Sequence, residues 1–458
     1  MRTTDDALLP PADHAQSPRR VHAEVFGCQM NKLDAQIGLE ALLRAGCVRA
    51  ENIADADTVV FFTCAVRQHA EDRFFSNLGT YERWKARGPG RLVAVAGCVA
   101  EEHGAELLRQ FPFVDLVCGT RHFHRLPELL ARVRPAAPVV ATGEAGVTYA
   151  RRRSLDPRPA QAYVSVMRGC SLACAYCIVP SVRGPEVSRP PQEIRREIET
   201  LAAAGVKDVT LLGQTVNSYG RSLGAPHSLA ALLASLAGIP GLARLRFVSS
   251  HPRFMDEALI DAMAALPNVC EGLHLPAQSG SNAVLKRMGR GYTAERYLEI
   301  IAACRARIPG FAPAGDFIVG FPGETEEDFR ATEDLMRAVR YQNVFVFKYS
   351  PRPGTRAAAL PDDVPAEVKQ ARNARLLALQ REIALPLYRA EIGKTVEVLV
   401  EGPSRRSPAR FTGRTRSGKI VLFPPVDAIG GLIGVRVEDA THLALYGTAA
   451  SGDADAAR

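Results

Sequence analysis

The chain has 458 residues and ten cysteines, and its 57 Lys and Arg against 49 Asp and Glu give a net charge of +8. A hydrophobic content of 47% and a charged content of 23% exclude a disordered or collagen-like chain. No apolar run approaches the roughly 20 residues that span a bilayer, and Asp5, Asp6 and several prolines stand where a signal core would be. A cytoplasmic protein of about three domains is therefore expected. The basic excess permits a nucleic-acid partner without establishing one. Ten cysteines with no secretion signal are expected to be reduced thiols, some of them metal ligands.

Residues 1–20 read as a polar tail. From 21 to 137 a pattern repeats: an apolar run, a cysteine, then an amphipathic stretch, in HAEVFGC, TVVFFTC, LVAVAGC and VDLVCG. Short β-rich runs separated by helical stretches predict parallel strands in βαβ units, whose ligand sites lie beyond the carboxyl ends of the strands. Cys28, Cys64 and Cys98 each sit at such an end, spaced by 36 and 34 residues, one βα unit apart. Adjacent strands would place these three thiols at one edge. Residues 138–159, rich in Pro, Ala, Gly and Arg, read as a linker.

Between 160 and 386, strands are predicted at Val164–Arg168, Asp208–Gly213, Leu245–Ser249, Gly272–Leu275, Asp316–Gly320 and Val344–Tyr349. Helices are predicted at Gln192–Ala204, Asp256–Leu266, Ala294–Arg307 and Glu326–Val339. Six βα repeats fit an open, partial TIM-like barrel better than a closed eight-fold one, although no sequence rule separates this from a doubly wound sheet. Residues 389–448, with short strands and Gly/Pro turns, predict a small β-barrel, and 449–458 read as a second tail. The chain is thus α/β, with a small all-β module at its end. That module carries Arg405, Arg406, Arg410, Arg414, Arg416 and Lys419 with no acidic residue between Ser404 and Lys419. Such a cluster suits a phosphate backbone or a solvated charged face.

Cys170, Cys174 and Cys177 form a C-x3-C-x2-C set in RGCSLACAYC, directly after a predicted strand. Structural zinc takes four ligands, and no fourth Cys or His lies near in sequence. Three thiolates on one loop suit a cubane cluster with one iron left open, and Tyr176 can pack against such a cluster. Cys118 also ends an apolar run, so position alone does not exclude it as a ligand. Cys47, Cys270 and Cys304 have no matching partner and read as small buried hydrophobes. His122 and His124 read as a surface pair at the start of a helix.

The C-x3-C-x2-C loop on the first strand of a partial barrel resembles the radical S-adenosylmethionine enzymes. The segment CSLACAYCIVPSVRGPEVSRP resembles the tRNA methylthiotransferases more specifically, in particular the 2-methylthio-N6-dimethylallyladenosine synthases. FGCQMNKLDA, TCAVRQHAEDR, AGCVAE, LLGQTVNSYG, HLPAQSGSNAVLKRMGRGYT, DFIVGFPGETEEDF and KYSPRPGT agree in the same order, so the resemblance covers about residues 21–446. It implies an N-terminal methylthiotransferase domain, a radical core and a C-terminal TRAM domain that binds RNA. It implies two 4Fe-4S clusters, a radical cluster on Cys170, Cys174 and Cys177 and an auxiliary cluster on Cys28, Cys64 and Cys98. It assigns no ligand role to Cys118.

The implied chemistry is chelation of S-adenosylmethionine by the open iron and its reductive cleavage to a 5′-deoxyadenosyl radical. Hydrogen is then abstracted from carbon 2 of an N6-isopentenyladenosine next to the tRNA anticodon, and sulfur and a methyl group are added there. An electron donor, a sulfur source and a monomeric chain are expected. Gln214, Asn217, Gln278, Ser279 and Asp316 are the candidate cofactor contacts, each equally readable as a turn residue or cap. Thr215 stands where the family often has Asn, and Gly315 where Ser or Thr is common; Phe62 and His69 flank Cys64 atypically. Two alternatives remain open: a different substrate (threonylcarbamoyl-adenosine or a ribosomal-protein aspartate), or an iron–sulfur RNA-binding module without turnover.

Overall fold

The structure is a computed structural model that describes residues 18–144 and 160–450. The expected tails therefore lie outside the described residues except at 18–20 and 449–450, as does 145–159 of the expected linker. The N-terminal unit is built on a six-stranded sheet. Its strands are β1 (Arg20–Val25), β2 (Val48–Arg49), β3 (Thr58–Thr63), β4 (Leu92–Gly97), β5 (Leu116–Cys118) and β6 (Val139–Ala141), in the order β2-β1-β3-β4-β5-β6. Every pairing is parallel. The reason is composition: every residue of TVVFFT in β3 is buried, and strands apolar on both faces need cover on both sides. The expected linker begins later than 138, because Val139 and Val140 pair with Leu116 and Val117 as a sixth strand. The prolines around this two-residue β-branched run obscure it in the sequence.

The second unit has two three-stranded parallel sheets. One is built from β7 (Gln161–Ser165), β10 (Asp208–Leu212) and β11 (Arg244–Phe247), the other from β12 (Gly272–His274), β13 (Ala312–Val319) and β14 (Asn343–Lys348). Between β7 and β10 lies a short antiparallel pair, β8 (Met167–Arg168) with β9 (Val187–Ser188). A bridge from Leu245 to Val269 continues the first sheet toward the second. The strands thus run in chain order, as in a barrel and unlike a doubly wound sheet, which reverses at a switch point. Helices Pro191–Ala203, Leu229–Ala237, Glu257–Ala265, Ala294–Arg307 and Glu326–Val339 pack on the sheets through one core that includes Val164, Val209, Leu245, Phe317 and Phe329. Ser228, Asp256 and Thr293 cap three of these helices, and Thr325 with Asp328 forms a capping box on a fourth.

The chain ends in a closed barrel of β15 (Thr395–Pro403), β16 (Phe411–Arg414), β17 (Ile420–Phe423), β19 (Ala444–Ala449) and β18 (Leu432–Ala440). Closure leaves no strand edge unpaired. The helix Ala366–Arg389 runs across the predicted 386/389 boundary, and its Ala384 and Tyr388 fill the barrel core beside Val398, Val421 and Leu445. Arg244 of β11, fully buried, donates to the Arg414 carbonyl at 2.7 Å and to the Glu397 carboxylate at 2.7 Å. Among the described residues no helix is long and apolar enough to cross a membrane.

Candidate metal centres and RNA surface

Cys170, Cys174 and Cys177 occupy the loop between β8 and the short helix Val179–Arg183. Gly169 turns the chain into it at φ +75°, and a Cβ there would stand 2.0 Å from the Pro185 carbonyl oxygen, so no other residue fits. Backbone hydrogen bonds grip the loop from outside. Ala175 N–H donates to Met288 O at 2.8 Å, Ala357 N–H to Ala175 O at 2.8 Å, and the Arg356 guanidinium donates to Ala173 O. Polar groups also face the sulfurs. Leu172 N–H and Arg290 Nη1 lie 3.4 Å from the Cys170 and Cys174 sulfurs, and Thr215 Oγ1 lies 3.3 Å from that of Cys170. Thr215, a departure from the family pattern, thereby gains a role in the loop.

Loss of water around Cys177 pushes its thiol up to about 12, so a bound cation is what would ionise it. Among the described residues, Glu71, Glu102 and His103 alone bring three possible ligand atoms within 4.8 Å of one another. The three loop sulfurs therefore do not all lie within 4.8 Å of one another, as sulfurs ~3.8 Å apart around a tetrahedral zinc would. Three spaced thiols with N–H donors aimed at their sulfurs fit a cubane cluster. Tyr176 packs on Val284, Met288 and Phe321 beside this loop.

The predicted cofactor contacts divide. Gln214 and Gln278 each keep a buried side-chain oxygen without a hydrogen-bond partner, and Gln278 is held at φ +72° between β12 and β13. Asp316 accepts from His274 Nε2 at 3.1 Å, and His274 Nδ1 accepts from Ser249 N–H at 3.2 Å, which fixes the tautomer. Asn217 is engaged in a clasp: its amide donates to His251 O at 2.9 Å and accepts from His251 N–H at 2.8 Å. Ser279 lies 3.3 Å from Thr332 Oγ1 and accepts from Ser281 N–H at 3.1 Å. Gly315 faces Tyr341, whose ring would stand 3.0 Å from an added Cβ, so the ring occupies the space that a larger side chain would need.

His251, Arg290 and His274 did not stand out in the sequence. His251 is buried, its Nε2 has no partner, and burial together with Arg290 and Arg253 lowers it to about 2, so it is a neutral imidazole. The only sequence signal for these three was their place at or just beyond the ends of strands and helices.

Cys64 and Cys98 directly follow β3 and β4, and Cys28 follows β1 by three residues at the start of helix Gln29–Arg44. β1, β3 and β4 are neighbours in the sheet. Gly97 adopts φ +108°, and a Cβ on it would stand 2.4 Å from the Thr63 carbonyl oxygen. No disulfide joins any of the ten cysteines. Cys118 is fully buried at the end of β5, and burial raises its thiol far above the ordinary range. Burial likewise raises Cys47, and pushes Cys270 and Cys304 to about 11. The His122–His124 pair is not a surface pair: His122 is buried, its Nδ1 lies 3.3 Å from Arg125 Nη1, and burial lowers it.

The six basic residues of the last barrel also divide. Arg414 pairs with Glu401 at 2.7 Å, Arg416 with Glu271 at 3.3 Å and Lys419 with Glu391 at 2.6 Å. Arg405, Arg406 and Arg410 are exposed, and Arg410 lies over the Tyr446 ring at 5.5 Å. An open cationic surface with an aromatic ring is what a nucleic-acid backbone and base use.

Residues 164–336, which hold this cysteine loop on its partial barrel, match the model of the radical SAM superfamily. Residues 20–119 match the uncharacterized protein family UPF0004 and residues 389–450 the TRAM domain. A cobalamin-bound radical S-adenosylmethionine methyltransferase from Kitasatospora setae shares the fold, with a TM-score of 0.56 and 18% identity over 75% of this chain and 74% of that one. The protein is therefore of the radical S-adenosylmethionine class. Two relatives are named tRNA-2-methylthio-N(6)-dimethylallyladenosine synthase. That of Syntrophobacter fumaroxidans is 45% identical over 96% of this chain and 98% of its own, and that of Acidothermus cellulolyticus 46% identical over 93% and 86%. The chain belongs to the tRNA-2-methylthio-N(6)-dimethylallyladenosine synthase family.

Proposed function

We propose that this protein inserts sulfur and a methyl group at carbon 2 of N6-isopentenyladenosine beside the tRNA anticodon, with two 4Fe-4S clusters and S-adenosylmethionine as cofactors. The observation that carries the reading is the gripped C-x3-C-x2-C loop with N–H donors on its sulfurs. Cys170, Cys174 and Cys177 hold the radical cluster, and Cys28, Cys64 and Cys98 the auxiliary one. The radical cluster, when bound, supplies reductive cleavage of S-adenosylmethionine. The protein's part is positional. The Ala175–Met288 and Ala175–Ala357 hydrogen bonds fix the loop; buried Gln214 and Gln278 offer acceptors that carry no charge, and neutral His251, whose Nδ1 accepts from Arg253 N–H, offers an Nε2–H donor. The methylthiotransferase domain spans 21–141, taking in β6, the radical core 160–386 and the TRAM domain 389–448, with the linker following β6. An external electron donor and sulfur source serve the chain, which acts as a cytoplasmic monomer on the anticodon stem-loop.

Anaerobic protein with a reductant should release 5′-deoxyadenosine from S-adenosylmethionine, which a binding module would not do. Nucleoside mass spectrometry of tRNA from a deletion strain should lack the methylthiolated isopentenyl nucleoside; its persistence would reject the substrate. Replacing Arg405, Arg406 and Arg410 by Ala should weaken tRNA binding. The log–log dependence of that binding on salt should flatten by about 0.7–0.9 for each phosphate no longer neutralised. Breaking the Arg414–Glu401 pair through Glu401→Ala should not reduce tRNA binding.

A further inference from the structure

Arg290 is almost wholly buried, at 6% exposure. Its fork is spent on three groups: Nη1 on the Cys174 sulfur at 3.4 Å, Nη2 on Pro276 O at 3.1 Å and Nε on Tyr292 Oη at 3.2 Å. None is a carboxylate. Buried Arg189, Arg244 and Arg372 each face one instead, at 2.8, 2.7 and 2.8 Å from Glu197, Glu397 and Glu324. An isolated buried cation is costly unless an anion answers it. Its nearest candidate is the thiolate set of the cysteine loop.

The turn that carries Arg290 also holds that loop. The helix Asn282–Met288 ends there, Met288 O receives the Ala175 N–H, and Arg290 N–H returns to Leu285 O at 3.0 Å. Tyr292 donates to Ala277 O at 2.6 Å while accepting from Arg290, so the guanidinium is oriented as well as buried. Only a planar fork makes these three contacts at once.

We propose that Arg290 is the resident countercharge of the cluster on Cys170, Cys174 and Cys177, raising its reduction potential. The inference rests on the ligand reading above. A cubane with three thiolates is an anion, and its charge becomes more negative when it takes up an electron. A fixed guanidinium, hydrogen-bonded to one ligand sulfur, favours the reduced form over the oxidised one. The electron comes from an external one-electron donor; Arg290 transfers neither electron nor proton and acts by position. Its task is to bring a buried, poorly solvated cluster within reach of that donor.

The test uses the full chain with Cys28, Cys64 and Cys98 replaced by Ala, reconstituted with iron and sulfide. About four irons per chain are expected, and the cluster is titrated with a chemical reductant under electron paramagnetic resonance. At the potential that half-reduces this parent, Arg290→Gln should lower the reduced-to-oxidised ratio about tenfold, equivalent to ~59 mV for one electron. Arg290→Lys, which keeps the charge, should stay within about threefold, and so should Tyr292→Phe. An unchanged ratio in Arg290→Gln would overturn the proposal, even with weakened S-adenosylmethionine binding, because Arg290 would then be a ligand contact. If Arg290→Gln takes up no iron, the lysine variant decides: a tenfold shift with the charge retained would also overturn it. A parent without iron would overturn the ligand reading and the proposal together.

Discussion

Cys170, Cys174 and Cys177 share one loop, whereas Cys28, Cys64 and Cys98 come from three neighbouring strands of a sheet. The first set is held by local chain geometry and a few backbone clamps. The second exists only if β1, β3 and β4 pair in the right order and register. A loop cluster can therefore be read from spacing, while a strand-end cluster is a property of the fold. The two sets should consequently fail in different ways when damaged.

The largest expected effects come from the proposed ligands themselves. Cys174→Ala should reduce iron from about eight to about four per chain and abolish 5′-deoxyadenosine release. Cys98→Ala should remove a similar amount of iron and leave that release in place while ending methylthiolation. If Cys174→Ala removed all of the iron, the two sets would not be independent and the contrast between them would fail.

The glycines before the cysteines sharpen the contrast at a lower magnitude. Gly97→Ala forces a Cβ to 2.4 Å from Thr63 O, where β3 and β4 pair Thr63 with Gly97. The expected cost is about 2–4 kcal/mol in the unfolding of the N-terminal unit, read by chemical denaturation of the iron-free chain. Gly169→Ala places a Cβ 2.0 Å from Pro185 O on a loop. It should cost less global stability and more radical-cluster iron. Equal losses of stability in the two variants would show that the loop is as dependent on the surrounding fold as the strand ends are.

The same contrast explains what the sequence could and could not disclose. The βα alternation, the strand-end cysteines and the small closing barrel follow from hydrophobic period and turn residues, which are local signals, whereas the choice of a partial barrel over a doubly wound sheet needed the strand order. Helices Ala294–Arg307 and Glu326–Val339 begin where predicted because Thr293 and Thr325 cap them. Arg290 was not legible, because its value comes from burial against a sulfur more than a hundred residues earlier in the chain. The basic run of the last barrel looked uniform because sequence shows the charges but not their partners. Structure assigns Arg414, Arg416 and Lys419 to Glu401, Glu271 and Glu391. β6 was hidden in a proline-rich stretch, since a three-residue strand is defined by its neighbour and not by its own pattern.

The smallest effect concerns the supports of the strand-end set. The helix Gln68–Leu78 follows Cys64 and the helix Cys98–His103 begins at the next strand-end cysteine. His103 Nε2 of the second lies 3.5 Å from Glu71 Oε1 of the first, with side-chain exposures of 25% and 10%. Glu71 is the main cause that raises His103 above its ordinary value, ahead of the opposing desolvation and the charges of Glu102 and Glu106. A raised folded value means that the protonated imidazole is favoured in the native state. The stabilisation is then fully present below the unfolded value of about 6.5 and is lost as pH rises through the folded value. For a partly exposed pair it should be under about 1 kcal/mol. His103→Gln should therefore lower stability of the N-terminal unit at pH 5.5 and leave it nearly unchanged at pH 8.5. The loop proposed to hold the radical cluster draws its three cysteines from one segment and does not depend on a pair between successive helices, so its iron should be indifferent to this change at either pH. A stability difference that persisted at pH 8.5 would assign His103 to packing and remove the ion pair from the supports of the strand-end set.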